Sequence, residues 1–234
     1  MHLNTYFTRL LATGLLTFCL LTIALHEAIF SATPGIAGNA PRILYYQLPL
    51  FVVALACFLL NFTASISYLR SQTVRADAVA VAAAEVGLLF CTTSLVTNIF
   101  LAKAELGVWW VLDARLMMSV ILCLLYASYL MLRFFANIGQ GSVVSAVLAI
   151  FIFIDIPITY ASLHWAGGRR LLNVLPLAAH LSTNALLWNT AGFITLGVIL
   201  IYLRYRLAVV RARVDELQAE EECRRMTIQH PAKR

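Results

Sequence analysis

The chain has 234 residues, 62% hydrophobic and only 12% charged, and its 17 Lys plus Arg against 11 Asp plus Glu give a formal net charge of +6. An ordinary soluble domain is about 45–50% apolar and about 25% charged, and six charge-poor stretches here are each long enough to cross a bilayer, which takes roughly 17–25 residues. These figures exclude a soluble globular enzyme, a disordered chain and a secreted disulfide scaffold, and they make the basic excess a matter of membrane topology and not of nucleic acid. The first apolar run, Leu10 to Leu25, follows Arg9 and continues to about Phe30 without a clear small-x-small cleavage site, so it reads as a retained helix and not a signal peptide. The second, Ile43 to Leu69, is free of charge. The third lies between Arg75 and Lys103 and contains Asp77 and Glu85; the fourth, Leu116 to Leu132, is bounded by Arg115 and Arg133. The fifth, Ser142 to Leu163, contains Asp155 and Pro157, and the sixth runs from Thr183 to Leu203. Lipid offers backbone groups no hydrogen-bond partner, so each span is expected to be helical. The fold class that follows is an all-α integral membrane protein with six transmembrane helices in one bundle, residues 1–204, and a cytoplasmic helical tail, 205–234.

Placing the N-terminus inside puts Arg9, Arg70, Arg75, Arg133, Arg204, Arg206, Arg211 and Arg213 on the inner side. The outer side then holds Arg42, Lys103, Arg115, Arg169 and Arg170. Basic residues favour the cytoplasmic side, so both termini are expected in the cytoplasm. In the tail, Leu207, Val210, Val214 and Leu217 form an apolar stripe with 3-4-3 spacing, and Glu220–Arg224 and Glu221–Arg225 are i,i+4 pairs. This reads as a solvated extension of the sixth helix, or as a short helix that binds a partner or a second copy.

Cys19, Cys57, Cys91 and Cys123 lie inside apolar runs and no CxxC occurs, so the cysteines read as small buried apolar residues. The chain has no CxxCH for its own covalent heme and no GxxxxGK[ST] loop, so any ATP-driven step belongs to a partner. No catalytic constellation is visible. Glu85 and Asp155 sit at a depth that costs about 2.5–3.5 kcal/mol on insertion scales, and therefore face protein or a water-filled cavity. Neither has an obvious intramembrane basic partner in the sequence, which argues against a buried ion pair; they read as packing residues, protonated or hydrogen-bonded, or as members of a proton or substrate path. Pro157 is expected to kink the fifth helix.

The outer loop 103–116 concentrates the chemistry. Gly107, Trp109, Trp110, Asp113 and Arg115 place two adjacent indoles beside a cation at the membrane edge. This is either an aromatic belt with Asp113 capping the fourth helix and Arg115 snorkelling, or a shelf for a planar, partly apolar ligand with carboxylates.

The stretch from Gly107 to Leu116, Gly-Val-Trp-Trp-Val-Leu-Asp-Ala-Arg-Leu, resembles the tryptophan-rich motif of the cytochrome c assembly family, in its heme exporter protein C branch. That motif runs approximately W-G-x-W-W-x-W-D-x-R-L-T; Gly107, Trp109, Trp110, Asp113, Arg115 and Leu116 match it, whereas Leu106, Leu112 and Met117 do not. Arg42-Ile-Leu-Tyr-Tyr-Gln-Leu-Pro49 is similar to the family's R-I-x-Y-x-H-V-P, and Asp155 to Trp165 to the stretch ending its fifth span. The resemblance covers most of the chain from Arg42 to Arg204. It implies cytochrome c-type biogenesis at the bacterial inner membrane, with functional loops on the periplasmic face. Heme b would be bound transiently and non-covalently, and presented to a membrane-anchored heme chaperone together with ABC-type transporter subunits. The partners are then heme, these proteins and membrane lipid, with no nucleic acid and no enzymatic activity. Trp109, Trp110, Asp113, Arg115 and Gly107 would form the shelf, with Arg42 and Arg170 as cations for the propionates. The family's two axial histidines fall on Gln47 and Arg170, neither a usual heme ligand. His164 and His180 are the substitute ligands this sequence offers, and His26 shares the same face. The loss of both histidines also fits a diverged assembly scaffold that no longer ligates heme. An unrelated small transporter lined by Glu85 and Asp155 is a further alternative, but it leaves the loop motif unexplained.

Overall fold

The computed structural model describes residues 12–23, 25, 26, 40–109, 114–135, 140–165 and 183–229. Among these, all regular structure is helical: α1 (Ala12–Ile23), α2 (Ala40–Ser71), α3 (Val74–Leu106), α4 (Ala114–Phe135), α5 (Gln140–Trp165) and α6 (Thr183–Gln229). Each predicted span coincides with one of these helices. Four contain stretches long and apolar enough to cross a membrane: Ile43–Ser71, Val74–Ala104, Leu116–Phe135 and Thr183–Glu221. The apolar stretches of the other two, Ala12–Ile23 and Val143–Pro157, are shorter. α2 continues through Pro49 and α5 through Pro157 as single helices.

α2 and α3 form the central antiparallel pair. Their connection is tight because Gln72 adopts φ 48°, and its amide closes back on the Tyr68 carbonyl at 2.7 Å. Close approach of the two helices requires Gly87, where a Cβ would stand 2.6 Å from the Phe58 ring. The alanines Ala80, Ala82, Ala83 and Ala84 keep the same α3 surface low. Phe58 then stacks on Tyr126 of α4 with ring centroids 3.7 Å apart, Phe62 stacks on Phe153 of α5 at 4.4 Å, and Phe90 meets Phe193 of α6 edge-on. The outward faces carry Leu59, Leu60, Leu89, Leu124, Phe151 and Val198, an apolar exterior suited to lipid. Cys57, Cys91 and Cys123 are buried free thiols, as the sequence suggested for apolar-run cysteines; Cys19 is exposed.

Two ion pairs revise the reading of the intramembrane acids. Glu85 is paired: Arg204 of α6 donates from both Nε and Nη2 to its two carboxylate oxygens. Asp77 is paired with Arg133 of α4, whose second nitrogen donates to Ser145 Oγ of α5 at 2.9 Å. The partners escape the sequence because they lie 119 and 56 residues away. Each arginine stands at the flank of its own span and reaches an acid one helix over, as long basic side chains do. The two pairs tie α3 to α6 and α3 to α4. Asp155 is half-buried on α5. α6 continues unbroken to Gln229, with Leu207, Val210, Val214 and Leu217 exposed along it.

Candidate functional site

The antiparallel arrangement gathers the start of α2, the end of α3, the start of α4, the end of α5 and the start of α6 at one end of the bundle. This loop end lies opposite the Gln72 turn. A small core of its own holds it: Leu44, Tyr45, Leu101 and Ala185 are buried together, with Ile43, Tyr46 and Leu48 packed around them. Through that cluster α2, α3 and α6 are fixed relative to one another just beneath the tryptophan-containing loop.

The loop begins at Gly107. This residue takes the left-handed conformation, φ 73° and ψ −1°, and its amide caps α3 by donating to the Lys103 carbonyl at 3.1 Å. Glycine serves here because an L side chain in this region is strained. The Lys103 ammonium returns across the same turn to donate to the Gly107 carbonyl at 2.6 Å. It also lies over the Trp109 ring, 5.4 Å from the centroid. Phe100, one helical turn before Lys103, meets Trp109 edge-on at 6.0 Å. The indole is therefore gripped from two sides yet remains 57% exposed, as does much of Val108. The result is an aromatic surface with a cation over one face, exposed at one end of the bundle.

Of the residues proposed from sequence, Gly107 and Trp109 are brought together as described. Arg42 falls in the first turn of α2, Arg115 in the first turn of α4 and His164 near the end of α5, all at the loop end; their side chains lie outside the described ones. Trp110, Asp113, Arg170 and His180 lie outside the described residues. Gln47, where the resemblance implied the family's first histidine, is 8% exposed. Its Oε1 and the neighbouring Tyr46 hydroxyl have no hydrogen-bond partner among the described residues. Phe100 and Lys103 were not singled out from sequence as site residues. Their i,i+3 spacing just before Gly107 was the available signal.

The fold and this edge define a helical membrane protein with an aromatic, cation-flanked surface at one end of its bundle. A sequence profile of the heme exporter protein C family matches residues 2–220. Heme exporter protein C of Haemophilus influenzae is 30% identical over 180 residues, which is 74% of this chain and 73% of that protein. That of Escherichia coli K12 is 27% identical over 175 residues, 72% of this chain and 70% of the relative. A ccmC-like mitochondrial protein of Marchantia polymorpha, whose name assigns it to cytochrome c biosynthesis, is 30% identical over 157 residues, 64% of this chain and 65% of that protein. This chain belongs to the heme exporter protein C family, which places it among the proteins of cytochrome c biogenesis.

Proposed function

We propose that the protein binds heme as cargo at the loop end and presents it to a membrane-anchored heme chaperone, working with ABC-type transporter subunits. The observation that carries this reading is the Trp109 indole, exposed on the Gly107 cap with Lys103 over its face, in a chain of the heme exporter protein C family. A porphyrin is flat and apolar over most of its area, so an exposed indole suits its face. Its propionates call for cations, and Lys103, Arg42, Arg115 and Arg170 are the candidates. The heme is b-type and non-covalent in this reading, as the resemblance implies, and the sequence offers no CxxCH for covalent attachment. In this topology both termini are cytoplasmic, six helices span the inner membrane and the loop end faces the periplasm. Trp110, Asp113 and Gly107 complete the shelf, and His164 and His180 supply the iron ligands that Gln47 and Arg170 cannot.

A visible spectrum of the protein purified in mild detergent, with a pyridine hemochrome assay, tests this. The expected result is a Soret band at near-stoichiometric heme that weakens in Trp110→Ala and in His164→Ala. A protein without heme, even after expression with excess heme and its partner subunits, would instead support a scaffold that no longer ligates heme. The buried Gln47, in place of an imidazole, is the observation that favours this second reading.

A further inference from the structure

Between α2 and α4 the core holds polar groups that the fold itself does not pair. Asn61 and Ser65 of α2 and Tyr126 of α4 are each 0% exposed. Asn61 Oδ1, Ser65 Oγ and the Tyr126 hydroxyl have no hydrogen-bond partner among the described residues. The Asn61 amide is oriented by its surroundings: Nδ2 donates to the Ala80 carbonyl at 2.8 Å and lies 3.4 Å from the Tyr129 hydroxyl. Rotating the amide would set its oxygen against that carbonyl, so Oδ1 keeps its open side. Ser65 departs from its neighbours. Thr63, Ser67 and Ser71 of the same helix all donate back to their own helix carbonyls, whereas Ser65 does not.

These groups form one seam. Asn61 and Ser65 are one turn apart on one face of α2. Tyr126 and Tyr129 meet edge-on at 6.4 Å, and Tyr129 reaches Asn61. One turn beyond Tyr129 is Arg133, paired with Asp77. The antiparallel register that sets Asn61 against Ala80 puts Ser65 level with Ala76 and Asp77. One turn beyond Tyr126, in the opposite direction, is Cys123, its Sγ 2.9 Å from that of Cys91. The seam thus runs from an ion pair whose side chains are 18% and 19% exposed to a buried pair of thiols. Its length along α4, from Arg133 to Cys123, is roughly 15 Å, half of a hydrocarbon core of about 30 Å.

We propose that this seam binds a file of internal water molecules, entered at the Asp77–Arg133 end and reaching Cys91 and Cys123. Water is the ligand because the open groups are one carbonyl-type acceptor and two hydroxyls, without net charge. Buried waters typically make 2–4 bonds to such groups, and lipid offers them none. The file gives Tyr126, Tyr129 and the thiol pair proton exchange with the aqueous phase at the Gln72 turn. It does not depend on heme binding.

X-ray hydroxyl-radical footprinting of the full chain in lipid nanodiscs, in water enriched with oxygen-18, tests this, because radicals made from bound water oxidise the side chains beside it. After correction for intrinsic reactivity, Tyr126 and Tyr129 are expected to label faster than Phe90, a buried residue in apolar packing. Asn61→Leu is expected to return Tyr126 to the Phe90 rate. Should that variant fail to fold, Ser65→Ala in its place is expected to slow labelling of Tyr126 while leaving the exposed Tyr202 unchanged. Labelling of Tyr126 and Tyr129 at the Phe90 rate in the unmodified protein overturns the proposal. So does rapid Tyr126 labelling that neither a folded Asn61→Leu nor Ser65→Ala reduces.

Discussion

Gly107 offers a substitution whose consequences separate loop conformation from loop contact. A Cβ built at this residue meets nothing within 4 Å among the described residues, so replacing it costs no steric overlap with them. The whole penalty lies in φ 73°, about 1–2 kcal/mol for an L residue in the left-handed region, with a β-branched side chain at the upper end. If that penalty drives the turn into another conformation, the amide cap on Lys103, the return bond from its ammonium and the seat of that cation over Trp109 are lost together. Converted to a population, 1–2 kcal/mol is roughly a 5–30-fold loss of the competent loop. Hemin titrations of the protein in nanodiscs, followed at the Soret band and by quenching of tryptophan fluorescence, are expected to show Gly107→Val weakened by that factor. Gly107→Ala should fall between, and Gly107→Asn should stay near the unmodified protein, because asparagine tolerates the left-handed region. The reasoning fails if Gly107→Val titrates like the unmodified protein. It fails equally if Gly107→Asn is as weak as Gly107→Val, since the requirement would then be for size and not for φ.

Lys103→Met is expected to reduce hemin affinity roughly 2–5-fold, the value of an exposed cation–π contact of about 0.5–1 kcal/mol, while Lys103→Arg retains most of it in the same titration. Gly87→Ala brings a methyl to 2.6 Å from a Phe58 ring that is itself stacked on Tyr126, so α2 and α3 must part. Overpacking of this kind costs about 1–3 kcal/mol, or roughly 2–12 °C in a chain of this size. A thermal melt read by a dye that reacts with Cys57, Cys91 and Cys123 as they unbury checks it, and Gly87→Ala with Phe58→Leu should recover part of the loss. Glu85→Gln and Arg204→Met are each expected to lower the same melt, and the double variant to lower it by less than their sum. The coupling should sit near the low end of the roughly 0.5–3 kcal/mol seen for contacting pairs, because both side chains are partly solvated; strict additivity would show the pair to be idle.

Much of the fold was legible in the sequence because a bilayer leaves so few solutions. Charge-poor runs of bilayer length must be helices, and all six runs are helical where the structure describes them. The loop carrying Gly107 and Trp109 was likewise legible, although it was expected from Lys103 onward and α3 in fact runs to Leu106, with the turn at Gly107. Which helices touch could not be read. The hydrophobic faces of α3 and α5 carry no clear period, since lipid-facing and core-facing positions are equally apolar. That is why Glu85 had no visible basic partner in the sequence, although Arg204 pairs with it.

By itself, then, the sequence determined that this is a helical membrane protein, where its apolar helices lie and which loop carries the indoles, because hydropathy and turn chemistry act over a few neighbouring residues. Its motif from Gly107 to Leu116 was enough to bring out the heme exporter protein C resemblance that the family match bears out. Only the tertiary structure decided that Arg204 answers Glu85 and Arg133 answers Asp77. Only it could set Phe100 and Lys103 about Trp109, and align Asn61, Ser65, Tyr126 and Tyr129 with the Cys91–Cys123 thiols. Such contacts depend on the rotation and register of one helix against another. Those are fixed by the steric fit of Gly87 beneath Phe58 and of Phe58 upon Tyr126, a fit between residues far apart in the chain.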